Sequence, residues 1–142
     1  MISQETKITP ALAYASGTAD RNGATLDMQG FDGVLVVVHH AAIAAGATYK
    51  IKAQQGAASN LSDAADLAGT SQTIADDEDD SVSYIDIFQP RERYVRLVVD
   101  NDTSNATAQT AVYIQYKAGT EPTTHADDVA GEVFVGPAEG TA

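Results

Sequence analysis

Residues 81–100 read SVSYIDIFQPRERYVRLVVD and carry the densest strand signal in the chain. Two runs within this stretch, 82–87 and 94–99, are rich in the β-branched and aromatic residues that favour strands. Pro90 lies between them and has no backbone N–H to donate to a sheet. The stretch therefore predicts two strands joined by a turn, either as a hairpin or as a crossing between two sheets.

The same kind of pattern recurs along the rest of the chain. Residues 35–40 form a nearly continuous apolar run and predict a strand that is buried on both faces or central in a sheet. Residues 48–54 alternate between apolar and polar side chains, with Lys50 and Lys52 on the exposed side. Four further short strands are predicted, at residues 6–14, 24–28, 111–117 and 132–135.

About eight short strands at this spacing are typical of two packed antiparallel sheets. We therefore predict an all-β fold: a single-domain antiparallel β-sandwich of jelly-roll type. Residues 1–14 are expected to form an N-terminal arm or the first strand, and residues 15–120 the body of the sandwich. Residues 121–142 are expected to form a C-terminal segment that contains the last strand.

Two connections carry their own signals. Residues 60–69 begin with capping residues, place Leu and Ala at helical spacing and end at Gly, which predicts a short helical turn. Residues 100–105 read DNDTSN and consist of turn-forming residues. They predict a hairpin that joins the strand at 94–99 to the strand at 111–117.

Composition excludes several classes of protein. The chain has 142 residues, enough for one domain with a sizeable core, and it has no cysteine for a disulfide or a thiolate metal site. We expect neither an export signal nor a membrane anchor, because the longest strongly apolar run, 34–38, is short. With 20 acidic and 8 basic residues, the net charge is -12, so we expect neither a nucleic-acid partner nor a membrane partner.

No catalytic motif is present in the sequence. It lacks the Gly-Lys-Ser/Thr ending of a phosphate-binding loop, the Gly-x-Ser-x-Gly motif and a His-Glu-x-x-His zinc motif. His39 and His40 are adjacent on a predicted strand, so their side chains should point to opposite faces and not share a metal. His125 lies in a Thr-rich segment and is expected to be solvated. We therefore predict that the protein is not an enzyme and has no catalytic or cofactor-binding residues.

One segment suggests a metal ion. Hard cations such as calcium prefer several carboxylates on a flexible loop, and five consecutive acidic residues supply them. These residues are Asp76, Asp77, Glu78, Asp79 and Asp80. The segment lacks the spaced ligands and the glycine of a helix-loop-helix calcium site, so a solvated, self-repelling loop is the alternative. No other cofactor is expected.

Two groups of residues are candidates for binding a protein partner. Arg91, Arg93 and Arg96 either pair with nearby carboxylates or anchor an acidic partner, and alternation places Arg93 and Arg96 on opposite faces of their strand. The N-terminal segment contains Ile8, Pro10 and Leu12. It is either an arm that adds a strand to a neighbouring protein or an ordinary first strand.

Four segments, in this order, resemble the small virion proteins of tailed bacteriophages, in particular capsid decoration or cement proteins. They are GFDGVLVVV at 30–38, YKIKAQ at 49–54, ADLAGT at 65–70 and RYVRL at 93–97. The resemblance spans residues 16–117 and offers no catalytic residue to transfer. It implies a β-sandwich or jelly roll that is made in the host cytoplasm and seated on the outer capsid surface. The implied partners are the major capsid protein and further copies of the chain, with a trimer favoured.

Such a protein would stabilise a capsid by bridging neighbouring major capsid subunits, because several weak contacts combine through effective concentration. Two alternatives remain at this point. One is a tail or head-tail joining component, which would differ in its location on the particle. The other is an adhesion module that binds calcium or a glycan. An enzyme with a polar pocket around its histidines ranks last.

Overall fold

The computed structural model describes residues 1–140 and contains ten strands, one short α-helix and one 3-10 helix. The elements, in chain order, are α1 Ile2–Glu5, β1 Lys7–Gly17, β2 Arg21–Asn22, β3 Leu26–Asp27, β4 Phe31–Ile43, β5 Tyr49–Gly56, β6 Ala65–Asp66, β7 Gln72–Ile74, the 3-10 helix Asp76–Glu78, β8 Val82–Phe88, β9 Tyr94–Asn101 and β10 Thr107–Ala118. The predicted all-β class is confirmed.

The strands form two antiparallel sheets. One has four strands in the order β1-β10-β4-β8, and the other has six, with β9 and β5 at its centre. Strands β2 and β3 pair with successive parts of β9, and β6 and β7 pair with successive parts of β5. Each of these pairs therefore acts as one interrupted strand, which leaves eight strand positions. Their order is that of a jelly roll, so the predicted sandwich is confirmed.

The stretch at residues 81–100 is a crossing between sheets. Strand β8 pairs with β4 in the four-stranded sheet, whereas β9 pairs with β5 in the six-stranded sheet. The next connection also crosses, because β10 returns to the four-stranded sheet, so the predicted hairpin at residues 100–105 is wrong. Turn-forming residues specify a change of chain direction, but they do not specify which sheet the next strand joins.

The core lies between the two sheets. Alternate residues of β4, including Val34, Val36 and Val38, are completely buried, as are Ile51 of β5 and Leu97 of β9. Burying each of these side chains stabilises the fold by roughly 1.5–3 kcal/mol relative to an exposed position. The residues between them on β4 are only half-buried, so this strand is central in its sheet but is not buried on both faces.

Tyr113 of β10 joins the two sheets through its hydroxyl group. The ring is completely buried. Its oxygen accepts a hydrogen bond from the Leu97 backbone N–H at 2.8 Å and donates one to the Ala24 carbonyl at 2.8 Å. A Cβ on Gly23 would lie 2.8 Å from this hydroxyl, so the close approach of the backbone requires glycine there.

The predicted helical turn at residues 60–69 is absent. The Asp63 carboxylate instead accepts hydrogen bonds from the backbone N–H groups of Ala57 at 2.8 Å and Ala58 at 3.2 Å. Leu61 is buried with a φ of 52°, and Ala65–Asp66 pairs with β5. Side-chain bonds to the backbone compete with helix formation, and here they hold a tight loop.

The C-terminal segment runs along the outer edge of β1. The Thr123 N–H donates to the Gln4 carbonyl at 2.9 Å, and the Ala126 N–H donates to the Ile8 carbonyl at 3.2 Å. The Ile8 N–H in turn donates to Nδ1 of His125 at 3.0 Å. His125 is half-buried in this contact, so the expectation that it is a solvated loop residue is wrong.

Residues 132–135 do not form the predicted last strand. They have no regular secondary structure, and the exposed fractions are 45% for Val133, 68% for Phe134 and 84% for Val135. A strand needs backbone partners as well as strand-forming side chains, and the described part of the chain offers none beside this segment.

Candidate interaction face

The outer face of the four-stranded sheet is made of apolar and aromatic side chains. Because strand side chains alternate, every second residue of β1, β10, β4 and β8 points away from the core. We call the resulting surface the apolar face; it comprises Ile8, Pro10, Leu35, Val37, Val82, Tyr84, Phe88, Val112, Ile114 and Tyr116. Tyr84 has an exposed fraction of 65% and Phe88 one of 52%.

The strand register aligns these residues in rows across the sheet. One row contains only apolar or aromatic side chains: Pro10, Val112, Val37 and Tyr84. The next row is apolar except for its last member: Ile8, Ile114, Leu35 and Asp86. A contiguous apolar patch of this kind is uncommon on the surface of a monomer and is typical of interaction sites.

The two charged side chains at this face, Asp86 and Lys117, each have a partner. The Tyr116 hydroxyl donates to the Asp86 carboxylate at 2.6 Å, and a Cβ on Gly33 would overlap the Tyr116 ring. Burial and the hydrogen bond to Asp86 raise the pKa of Tyr116 to about 12, so this residue is neutral at physiological pH. Nζ of Lys117 lies 4.6 Å from the centroid of the Phe88 ring. The face therefore carries one negatively charged side chain, Asp86, and one positively charged side chain, Lys117.

The outer face of the six-stranded sheet is polar and charged. Lys50 pairs with Asp102 at 2.8 Å, and Lys52 pairs with Asp66 at 2.9 Å. The hydrogen bonds raise the pKa values of both lysines, which remain charged. Exposed ion pairs of this kind contribute little to stability, but they keep a surface hydrated. The two outer faces therefore differ strongly, although both belong to half-exposed antiparallel sheets.

The three predicted arginines lie apart from one another. Arg93 precedes β9, and its guanidinium pairs with Asp27 at 2.7 Å, which holds the pKa of that carboxyl below its usual value. Strand alternation would put Arg93 on the same face as the buried Val95 and Leu97, but Arg93 is exposed because it lies before the strand begins. Arg96 lies on the outer face of the six-stranded sheet and donates two hydrogen bonds to Gln54. Arg91 is exposed at one end of the sandwich.

The predicted N-terminal residues divide between two environments. Ile8 and Pro10 lie on the apolar face, whereas Leu12 is buried in the core. All three belong to β1, which pairs with β10 of the same chain. In this structure the segment is therefore the first strand and not an extended arm.

The acidic loop holds the end of β4. The Asp79 carboxylate accepts from the Ile43 N–H at 2.7 Å, Asp76 accepts from the Gly46 N–H at 2.6 Å, and Glu78 accepts from the Ala75 N–H at 2.7 Å. Within residues 1–140, no three His, Cys, Asp or Glu side chains are grouped so that they could hold a metal ion. These carboxylates thus have a structural role, and calcium binding stays a prediction.

The three histidines do not converge. His39 is exposed on the outer side of β4, His40 is completely buried on the inner side, and His125 lies beyond β1. Nδ1 of His40 is hydrogen-bonded to the Tyr49 hydroxyl, and its Nε2 lies 2.9 Å from the Ser83 hydroxyl. Burial lowers the pKa of His40, an effect that the nearby Glu78 carboxylate partly opposes.

This depressed pKa predicts a pH dependence of stability. Above about pH 6.5 the imidazole is neutral in both the folded and the unfolded chain, and its full contribution is present. As the pH falls from there toward the folded-state pKa, the unfolded chain binds a proton first, so the free energy of unfolding decreases. Urea unfolding across this range should show the decrease in the wild type and in His39→Gln. The account fails if His40→Gln keeps the same slope.

Comparisons with known proteins bear on the fold. No family model and no curated protein matches the chain. Among solved structures, the chain is similar to the PBSX exported protein XepA, with a TM-score of 0.55 and 14% sequence identity. The match covers 94% of this chain and 44% of XepA, so the chain spans less than half of that protein's length. At this identity the similarity concerns the sandwich fold.

The described residues contain no helix that is both long and apolar enough to span a bilayer.

Proposed function

We propose that this chain is a structural protein of a phage particle that binds the outer surface of the capsid and bridges neighbouring major capsid subunits. The observation that carries the proposal is the apolar face, a contiguous outer surface of the four-stranded sheet. The shared fold with XepA, an exported protein of phage PBSX, supports a phage context. The resemblance of segments within residues 16–117 to capsid decoration proteins supports the capsid as the location.

The apolar face suits a partner that is itself a folded protein. Burial of apolar surface is worth roughly 25 cal/mol per Å², and a flat sheet face can be covered without rearranging its backbone. The face carries Asp86 and Lys117 in a chain whose net charge is -12. Desolvating it therefore costs less than desolvating the charged face on the opposite side.

The charge distribution sets the orientation on a particle. If the apolar face contacts the capsid, the charged face of the six-stranded sheet points to bulk solvent. That orientation also keeps the acidic surface away from packaged DNA, whose phosphates repel it. In this role the protein needs neither a catalytic site nor a cofactor. Ile8 and Pro10 take part as members of the apolar face, and the arginines remain candidates for contacts at its margin.

Imaging of purified particles tests the proposal. Particles made with and without this chain should differ by a density on the outer shell, at sites where major capsid subunits meet, and those that lack it should disassemble at a lower temperature. Density at the tail or at the portal vertex in ring stoichiometry would instead assign the protein to the tail or the head-tail joint. Particles that show no difference would overturn a structural role.

A further inference from the structure

The segment at residues 132–135 has the composition of a strand but lacks a partner. Its Val-Phe-Val sequence favours strands, and its three apolar side chains are exposed next to Gly131 and Gly136. Exposure of such apolar side chains to water is unfavourable, and burying them against another strand would be favourable. The strand-forming composition of residues 132–135 is therefore explained if this segment pairs with the edge of a sheet when the protein assembles.

Strand β8 offers an open edge. Within residues 1–140, this strand pairs with β4 alone. The ladder is continued by hydrogen bonds from His40 N–H to the Ser81 carbonyl and from Gln89 N–H to the Asp32 carbonyl. Odd-numbered residues of β8 therefore bond to β4, and the backbone groups of the even-numbered ones, such as Tyr84, face outward.

The open edge carries little protection against strand addition. The Tyr84 carbonyl accepts a hydrogen bond from the half-buried side chain of Gln72 at 2.8 Å, which a backbone donor can replace. Val82 and Phe88 are strand-forming residues, and the edge has neither a proline nor a lysine of its own. Such an edge is a template for β-augmentation.

The opposite edge of the same sheet is closed. At β1, the backbone N–H and carbonyl of Ile8 already bond to His125 and Ala126. Pro10, the next residue whose backbone faces outward, has no N–H to donate. An added strand therefore finds its site at β8 and not at β1.

We infer that residues 132–135 of one copy of this chain add as an antiparallel strand to β8 of a second copy. Charge favours this direction. Glu132 begins the segment, and the antiparallel arrangement places it near Lys117 and Arg91, at the end of β8 that follows Phe88. A parallel arrangement would place Glu132 beside the acidic loop that precedes β8, where like charges repel.

The position of the segment favours a second copy over the same chain. It leaves the body beside β1, and β8 lies at the other edge of the sheet, three strand spacings or about 14 Å away. To reach its own β8, the segment would have to cross and cover the apolar face. When residues 132–135 of one copy bind the β8 edge of the next, the contact joins two different surfaces of the chain. Repetition of such a heterologous contact gives either a closed ring or an open filament. This inference does not rest on the proposed function.

Engineered cysteines test the inference directly, because the chain has none of its own. Phe134→Cys chains are mixed with Asp86→Cys chains under mild oxidation, and a Thr73→Cys chain, altered on the exposed outer face of the six-stranded sheet, is the matched control. We expect disulfide-linked heterodimers with Asp86→Cys at more than about tenfold the yield obtained with Thr73→Cys. Equal yields would overturn the inference.

The mass in solution provides a second readout. The wild-type chain should give a concentration-dependent multiple of 14.8 kDa by light scattering, and Phe134→Asp should shift it to the monomer. A monomeric wild type at all concentrations would overturn the inference. So would a Phe134→Cys/Asp86→Cys double variant that closes its disulfide within one chain. Neither experiment uses a particle, so these failures are distinguishable from a failure of the proposed capsid role.

Discussion

Replacing Val112 with Asp is expected to weaken binding to phage shells that lack the protein about 100-fold, which corresponds to about 3 kcal/mol. Val112 lies on β10, a central strand of the four-stranded sheet, between Pro10 and Val37 in the row that crosses the apolar face. A carboxylate at this position would be desolvated in the complex without a cationic partner among its neighbours in the row. Sedimentation of shells with labelled protein measures the bound fraction.

Thr73→Asp is the matched control for this prediction. It introduces the same charge on the exposed outer face of the six-stranded sheet, opposite Lys50 in the strand register. Its binding should match that of the wild type. Urea unfolding should show that the free energy of unfolding of each variant lies within about 1 kcal/mol of the wild-type value. For Val112→Asp this is expected because Val112 is partly exposed and does not fill the core. Loss of binding in Thr73→Asp alone would mean that the charged face carries the contact.

Replacing Tyr113 with Phe is expected to lower the free energy of unfolding by about 2–4 kcal/mol. The hydroxyl bridges the Leu97 N–H and the Ala24 carbonyl, so its removal leaves one buried donor and one buried acceptor without this partner. Burial raises the pKa of Tyr113 to about 12, and the group is therefore a neutral donor over the physiological range. Urea unfolding at neutral pH measures the change.

Tyr116→Phe serves as the comparison. It also removes a tyrosine hydroxyl from β10, but that hydroxyl donates to Asp86 at the exposed outer surface. Water can replace it there, so the loss should stay below about 1 kcal/mol. Equal losses in the two variants would show that the bridge between the sheets is not a main source of stability.

The main strands could be predicted from the sequence because side-chain shape and burial agree along them. Val82, Ile85 and Ile87 favour a strand by composition, and β8 covers the predicted range with one residue added. The alternation of Lys50 and Lys52 with buried residues gave the exposed side of β5 correctly. Local pattern and tertiary packing point to the same structure at these positions.

The sheet assignment of each strand could not be predicted in the same way. Residues 100–105 turn the chain, but the next strand joins a different sheet because its buried residues complete the opposite layer of the core. At residues 60–69, helical spacing of Leu and Ala competes with the carboxylate of Asp63, which binds backbone N–H groups. Such outcomes depend on contacts between distant residues, and a local pattern does not contain them.

The apolar face carried a signal in the sequence that was interpreted only in part. The nearly continuous apolar run at residues 35–40 predicted a strand that is buried on both faces or central in a sheet. Strand β4 is central in its sheet, and Leu35 and Val37 on its outer side are half-buried. In β10, Val112 and Ile114 alternate with the buried Tyr113, so this strand is also apolar on its outer side. Strands that are apolar on both faces, at the surface of a small sandwich, indicate a binding face.

Chemical labelling of the wild-type tyrosines tests the central claim most directly. Tyr84 lies on the apolar face, and Tyr94 lies on the opposite outer face. The protein is labelled free and bound to shells, and modification at each residue is measured by mass spectrometry of its peptides. The account predicts that binding protects Tyr84 at least about tenfold and leaves Tyr94 unchanged. Protection of Tyr94 with Tyr84 still reactive would contradict it.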